Sequence, residues 1–246
     1  MRPAEPKLST PQTPAEELAN SLTHGLGVLL AIAALVVMVV KAHGARAVVG
    51  VTIFGSTLIL LYLMSTLYHA FRGPRVKLVF KIFDHSAIFL LIAGTYTPLC
   101  LSTLGGAAGW TLFGLVWGLA VLGVTFKGIF YGRLAKQVLR PAAIDHLHGV
   151  DVDDVMDPVF AKRMGLISTL IYLLMGWLVV IFAKPFAHAI SREGLLWILG
   201  GGVCYSVGAI IYGLKRIPYH HAIWHLFVLG GSACHVVAVL LSGQPR

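Results

Sequence analysis

Residues 47–68 read AVVGVTIFGSTLILLYLMSTLY, an apolar run without a single charged side chain. In a helix that rises 1.5 Å per residue, about 20 such residues cross the roughly 30 Å hydrocarbon core of a bilayer. Lipid cannot satisfy free backbone groups, so only helices and closed barrels span it. Because the run lacks the apolar–polar alternation of a barrel strand, it predicts a membrane-spanning helix.

Six other runs of similar length and composition occur along the chain. The seven predicted spans lie near 23–40, 47–68, 86–104, 108–126, 165–183, 194–213 and 222–241. They predict an all-α integral membrane protein, a bundle of seven transmembrane helices within residues 22–241. Residues 1–21 are expected to form an N-terminal tail, which turns into a short helix at Pro14-Ala15-Glu16-Glu17, and residues 242–246 a C-terminal tail.

The composition of the whole chain supports this class. Of its 246 residues, 57% are hydrophobic and only 12% are charged, whereas a soluble domain carries about 25% charged residues. This excludes a soluble enzyme or a disordered chain. The net charge of +9 does not indicate a nucleic-acid partner, because the basic residues lie in loops between apolar runs. Cys100, Cys204 and Cys234 lie inside apolar runs and predict no disulfide framework.

The loops between the spans differ strongly in basic charge. Of the 19 Lys and Arg residues, 14 fall on the side that holds the N-terminus and 5 on the opposite side. Basic residues concentrate in the cytoplasmic loops of membrane proteins. We therefore expect the N-terminus to be cytoplasmic and the C-terminus to be outside.

Polar side chains that are costly in a membrane occur at one depth on four separate spans. Ionisable residues in spans are functional candidates by default. The set comprises Glu17, Asn20, Thr23 and His24 before or within the first span, Ser65 and His69 at the second, Asp84 and His85 at the third, and His221 and His225 at the seventh. Their common level, on the expected cytoplasmic side, is the main functional signal in the sequence.

The histidines of this set predict a metal site. His221 and His225 are four residues apart, so both rings lie on one helical face, and His69 reaches the same level from another span. Three His with one open position are typical of catalytic zinc sites, and imidazoles without thiolates favour zinc. The hypothesis requires the three rings to face inward and to lie within about 8 Å of one another, a limit well beyond twice a zinc–nitrogen bond.

Other interpretations of these residues stay open at this level. The His221–His225 pair could be two hydrogen-bonded histidines, and His220 is an alternative to His221, although five residues separate it from His225. Asp84 could pair with Lys77 or Lys81. The hydroxyl of Ser65 could bond the carbonyl four residues before it.

Several features outside the set have simpler explanations. His235 lies about 21 Å along the helix from His221, too far to share a site, and is expected to pack between helices. His43 and His188 are expected in outer loops. Gly114 and Gly118 form a GxxxG pattern that predicts close helix packing. The acidic loop 128–164, with Asp145 to Asp157, is better explained as solvated than as a divalent-ion site.

Taken together, these motifs resemble the hemolysin III branch of the PAQR (progestin and adipoQ receptor) family, within a wider set that includes alkaline ceramidases. The matching elements are Glu17-x-x-Asn20-x-x-Thr23-His24-Gly25, Ser65-x-x-x-His69, Asp84-His85-Ser86 and His221-x-x-x-His225. The resemblance extends over residues 16–241. One departure is the 128–164 loop, which is longer and more acidic than the resemblance leads us to expect.

The resemblance implies a bacterial-type plasma-membrane protein with seven helices and the N-terminus inside. It implies a zinc ion held by His69, His221 and His225, with Asp84 approaching the water on the zinc and Ser65 lining the site. Eukaryotic relatives act as receptors with hydrolytic activity on ceramide-like lipids. The bacterial branch is associated with membrane lipid homeostasis, and its name comes from cytolysis.

Three functions follow as hypotheses. The first is a zinc-dependent intramembrane hydrolase of a lipid amide or ester, with Asp84 activating water and Ser65 supporting an oxyanion. The second is a non-enzymatic membrane-homeostasis or sensor protein, in which Asp84 completes a structural zinc site. The third, a cytolytic pore or a transporter, is disfavoured because the polar residues cluster on one side instead of lining the whole membrane depth. A membrane lipid is the expected substrate or ligand.

Overall fold

The computed structural model describes residues 12–138 and 158–242. Its α-helices are α1 Pro14–Lys41, α2 Ala45–Ala70, α3 Pro74–Pro98, α4 Gly106–Val138, α5 Pro158–Gly176, α6 Ala183–Ala189, α7 Arg192–Gly213 and α8 His220–Ser242. A π-helical segment, Leu99–Leu104, prolongs α3, and a 3-10 turn, Trp177–Val180, prolongs α5. All helices except the short α6 contribute a segment long and apolar enough to cross a membrane. The predicted seven-span, all-α class is confirmed.

The first helix starts earlier than the predicted span. Thr13 caps α1, because its hydroxyl accepts from the Glu16 amide at 3.2 Å while the Glu16 carboxylate accepts from the Thr13 amide at 2.8 Å. Such reciprocal caps and a proline in the first turn fix a helix start. The predicted helix start at Pro14 is confirmed, and residues 14–21 form one continuous helix with the first span instead of a separate short helix.

The segment between the fourth and fifth spans is also shorter than predicted. Helix α4 continues to Val138 and α5 begins at Pro158, so much of the expected 128–164 loop is helical. The acidic stretch from Asp145 to Asp157 lies outside the described residues. Its expected solvation stays a prediction.

Helix α3 lies at the centre of the bundle. It contacts α2, α4 and α5, while α1 packs between α2 and α8, and α7 packs along α8. The core contains fully buried Phe54, Phe89 and Leu112, whereas many large apolar side chains, such as Leu122 and Leu174, face outward. Outward apolar faces are expected where lipid replaces water as the solvent.

Close helix contacts depend on glycines other than the predicted pair. A Cβ atom at Gly50 would lie 2.8 Å from the Cα of Pro98, and one at Gly201 would collide with the ring of His235. Around Gly114 and Gly118, in contrast, there is open space. The predicted packing of this GxxxG pattern is not found among the described helices of the chain, because that face of α4 is turned away from the bundle.

Candidate metal centre

Three imidazole rings meet at the end of the bundle where α1 begins. His69 lies in the last turn of α2, and His221 and His225 lie in the first turns of α8. Their candidate ligand atoms are all within 4.8 Å of one another. The ring centroids are 4.8 Å apart for His69 and His221, 5.2 Å for His69 and His225, and 4.7 Å for His221 and His225. The predicted convergence of these residues is confirmed.

Helix α1 provides hydrogen-bond acceptors for two of the rings. The Nδ1–H group of His69 donates to Oε2 of Glu17 at 2.6 Å. The Nδ1–H group of His225 donates to the backbone oxygen of Asn20 at 3.2 Å, with the Thr23 hydroxyl 3.1 Å away. A carboxylate and a carbonyl can only accept, so Nδ1 carries the proton in both rings. The lone pair is then on Nε2, where a metal ligand needs it.

The third ring has its partner just before α1. Nε2 of Gln12 lies 2.8 Å from Nδ1 of His221, and Oε1 of Gln12 accepts from Nδ2 of Asn20 at 2.6 Å. A 180° rotation of the Gln12 side-chain amide exchanges its oxygen and nitrogen. Gln12 can therefore donate a hydrogen bond to His221 or accept one from it. All three Nδ1 atoms therefore contact α1 or the residues next to it. No pattern in the sequence pointed to Gln12.

The arrangement fits a zinc ion. Nε2 of His69 is buried and has no hydrogen-bond partner in the part of the chain that the structure describes. A buried nitrogen left in this way costs about 1–3 kcal/mol, which coordination of a metal would offset. Three imidazoles without a thiolate are a donor set that suits zinc. The residues form a possible metal-binding cluster.

Ser65 and Asp84, the predicted catalytic residues, adjoin this cluster without joining it. Ser65 is buried one turn before His69, and its hydroxyl lies beside the carboxylate of Asp84. Asp84 is within electrostatic range of His69 and Lys81, and its carboxylate lies 3.5 Å from Nδ1 of His85. Among described residues, the group able to hold one ion consists of the three histidines and does not include Asp84.

Glu17 also forms an ion pair. Its second carboxylate oxygen accepts from the ammonium group of Lys77 at the start of α3. Lys77, one of the alternative partners considered for Asp84, is therefore paired with a residue of α1. This arrangement links α1 to both α2 and α3 beside the three imidazoles.

His24 belongs to the centre but is not in the ligand group. Its ring stacks on His225 with centroids 3.5 Å apart and planes 12° apart, and it meets the edge of Tyr62. The side chain is buried, and neither ring nitrogen has a partner among the described residues. His24 thus supports the His225 ring from the side.

The other histidines lie apart from the cluster. His235 donates from Nε2 to the carbonyl of Ile198 at 3.2 Å and packs on Tyr205, as expected for a residue between helices. The His220 ring lies 6.4 Å from that of His221 and is outside the ligand group, so the alternative register is not used.

Two histidines were expected in outer loops. His43 is exposed between α1 and α2. His188 is exposed as well, but it lies within α6 instead of a loop. The expectation of a loop there is wrong because residues 183–189 form two helical turns.

Fold and centre together define a seven-span, all-helical membrane protein with a candidate three-histidine metal site. The family model described as haemolysin-III related matches residues 12–236, and the chain belongs to this family. It is an integral, multi-pass protein of the plasma membrane.

Named relatives match over most of the chain. Hemolysin-3 of Bacillus cereus is 44% identical over 94% of this chain and 93% of its own length. The Hemolysin-3 homolog of Bacillus subtilis (strain 168) is 45% identical over 87% of both chains. The monocyte to macrophage differentiation factor of Homo sapiens is 24% identical over 87% of this chain and 78% of its own. No solved structure matches the chain at a significant level.

Proposed function

We propose that this chain is a zinc-dependent intramembrane hydrolase that cleaves an amide or ester bond of a membrane lipid and acts in membrane homeostasis. The observation that carries the proposal is the convergence of His69, His221 and His225 in a group that contains no carboxylate. Structural zinc sites usually have four protein ligands, whereas catalytic sites keep one position open. A three-histidine group therefore favours a catalytic role over a structural one.

The residues beside the cluster have the chemistry that hydrolysis needs. Zinc held by the three histidines would polarise a carbonyl and lower the pKa of water to about 7. The Asp84 carboxylate would accept the proton of the attacking water. The Ser65 hydroxyl would donate to the oxyanion that develops on the carbonyl. That hydroxyl is buried beside Asp84 and one turn before His69, where it could take this role.

The location of the site favours a lipid as the substrate. The cluster lies within the spanning helices but near one end of the bundle, in the last turn of α2 and the first turns of α8. The bonds that join acyl chains to headgroups lie close to the membrane surface, at a similar depth. A lipid could therefore present its amide or ester carbonyl to the centre without leaving the bilayer.

Metal content of the purified protein tests the first part of the proposal. We expect about one zinc ion per chain in the wild type and none in His225→Ala, because two imidazoles alone hold zinc weakly. His235→Ala is the matched control, since it removes a ring from the same helix outside the cluster. Equal zinc in His225→Ala and the wild type would contradict the proposed site.

Hydrolysis in vesicles tests the second part. Zinc-loaded protein would be assayed on a ceramide-type amide and on phospholipid esters, with products measured by mass spectrometry. Asp84→Asn is expected to lower the rate by about 10²–10⁴-fold, since it removes a general base, while zinc stays bound. Glu193→Gln, at an exposed carboxylate in the first turn of α7, is the control. Undiminished hydrolysis by Asp84→Asn would exclude this role.

A second candidate function is permeabilisation of membranes. It is favoured by the name Hemolysin-3 of relatives that are 44–45% identical to this chain. Dye release from liposomes that contain only the purified protein tests it. Release that is the same in the wild type, His225→Ala and Asp84→Asn would support permeabilisation independent of the metal centre. Absence of release from wild-type vesicles would exclude it.

A further inference from the structure

We infer that Glu17 is a positioning residue for the metal centre, which fixes the orientation of the His69 ring and strengthens its Nε2 as a ligand. The inference rests on the metal-binding part of the proposed function and does not depend on hydrolysis. It concerns α1, which contributes no residue to the three-histidine group.

The contact between the two side chains is short and protected. Oε2 of Glu17 and Nδ1 of His69 are 2.6 Å apart, a distance typical of a charge-assisted hydrogen bond. The side chain of His69 is 1% exposed and that of Glu17 is 22% exposed. Water therefore competes little for the Nδ1–H group.

The carboxylate is held from both ends. One oxygen accepts from His69 and the other from the ammonium group of Lys77, so neither oxygen is without a partner. Lys77 also lies 5.1 Å from the centroid of the Tyr68 ring, which limits its own movement. A carboxylate fixed by two partners can in turn fix the imidazole that it contacts.

This contact has a defined chemical effect on the opposite side of the ring. A carboxylate that accepts from Nδ1–H holds the proton there, keeps the lone pair on Nε2 and makes that nitrogen more basic. Nε2 of His69 is the buried atom that lacks a partner in the described residues. Glu17 thus acts through His69 on whatever cation the three rings hold.

A structural role is the competing explanation, because the Glu17–Lys77 pair also ties α1 to α3. Two variants separate the explanations. Glu17→Gln removes the charge that acts on His69, whereas Lys77→Gln breaks the ion pair and leaves the Glu17–His69 contact. Glu16→Gln is a matched control: Glu16 is the adjacent carboxylate, and it contacts Thr13 and the backbone amide of Tyr219 instead of a cluster ring.

The test uses the full chain purified in detergent. Zn²⁺ affinity is measured by competition with a chromogenic chelator, and the visible spectrum of the Co²⁺-loaded protein reports ligand geometry. We expect Glu17→Gln to weaken Zn²⁺ binding by about 10–100-fold and to shift the Co²⁺ bands. Lys77→Gln and Glu16→Gln are expected to weaken Zn²⁺ binding by less than about tenfold.

Two results would overturn the inference: wild-type affinity in Glu17→Gln, or an equal loss in Lys77→Gln. If Glu17→Gln does not fold, Glu17→Asp is the second variant. Its side chain is one methylene group shorter, so the carboxylate lies farther from the His69 ring. Weakened Zn²⁺ binding in Glu17→Asp supports the inference and unchanged binding overturns it. A wild type that binds no Zn²⁺ would refute both proposals, whereas Zn²⁺ binding without lipid hydrolysis would refute only the enzymatic one.

Discussion

His225 and His235 lie on the same helix, α8, yet their surroundings differ completely. The His225 ring has two other imidazoles with centroids at 4.7 and 5.2 Å and a third stacked on it at 3.5 Å. His235 contacts Tyr205 and the carbonyl of Ile198, both from α7. A histidine within a membrane helix is therefore not by itself a metal ligand. What distinguishes the two regions is the convergence of donors from separate helices.

Tyrosine and serine hydroxyls form a hydrogen-bonded network near His235. The hydroxyls of Tyr62 and Tyr205 both meet Oγ of Ser232, at 2.7 and 2.8 Å. In the histidine cluster, His24 and His69 retain buried nitrogens without partners in the described structure. Near His235 one buried nitrogen, Nδ1 of His235 itself, lacks a partner among the described residues, whereas the cluster has three such nitrogens. The larger unused hydrogen-bonding capacity of the cluster is expected of a binding site.

Removal of the metal should give the largest difference between the two regions. At free Zn²⁺ about 1,000 times the dissociation constant, binding stabilises the folded state by about 4 kcal/mol. We expect a chelator to remove this stabilisation from the wild type and from His235→Ala. Thermal unfolding of His221→Ala should not respond to Zn²⁺. A response equal to that of the wild type would show that the cluster is not the binding site.

A methyl group at Gly201 should disturb the His235 region alone. Because a Cβ atom there would collide with His235, Gly201→Ala is expected to cost about 1–3 kcal/mol of unfolding free energy. Gly114→Ala, which adds a methyl group in open space, is the control and should cost nothing. Denaturant unfolding gives the stabilities. Loss of Zn²⁺ affinity in folded Gly201→Ala would show that the regions are coupled.

Ser232→Ala should disrupt the hydrogen-bond network near His235. It leaves two buried tyrosine hydroxyls without their partner, at an expected cost of about 1–3 kcal/mol. Tyr62→Phe removes one of these hydroxyls. The loss of unfolding free energy in the double variant should therefore be smaller than the sum of the losses in the two single variants. Strict additivity in unfolding measurements would argue against a shared network.

The smallest expected effect is at the helix cap beside the cluster. Thr13→Ala removes the cap of α1 and should cost about 1 kcal/mol of unfolding free energy. Thr169→Ala is the control, since that hydroxyl bonds only a carbonyl one turn back in α5. Unchanged stability of Thr13→Ala would mean that packing alone sets the start of α1.

Much of the fold could be predicted because hydropathy is a local property. Each span needs only its own apolar run, so all seven were found. The start of α1 at Pro14 was predicted because its signal, Pro14-Ala15-Glu16-Glu17, is also local. The continuity of this helix with the first span was not predicted. The packing predicted at Gly114 and Gly118 is not found among the described helices, because a glycine pair on a helix does not say which face meets a neighbour.

The candidate site was also predictable from the sequence only in part. The three histidines could be selected by depth and by their spacing of four residues. The roles of Gln12 and Glu17 could not be predicted from the sequence. A hydrogen bond between α1 and a ring on α2 or α8 depends on how each helix is rotated about its axis. Depth along a span can be counted from the sequence, but rotation cannot.

The sequence by itself determined that the chain is a seven-span, all-helical membrane protein with three histidines at one level. Apolar length and residue spacing are enough for both statements, since a helix has a fixed rise and a fixed turn. Only the tertiary structure decided that the candidate ligand atoms of these rings lie within 4.8 Å of one another and that Asp84 is outside their group. It also decided that α1 accepts hydrogen bonds from Nδ1 of His69 and of His225. The physical reason is that a metal site needs donors placed to within tenths of an ångström, and the packing of several helices sets those distances together.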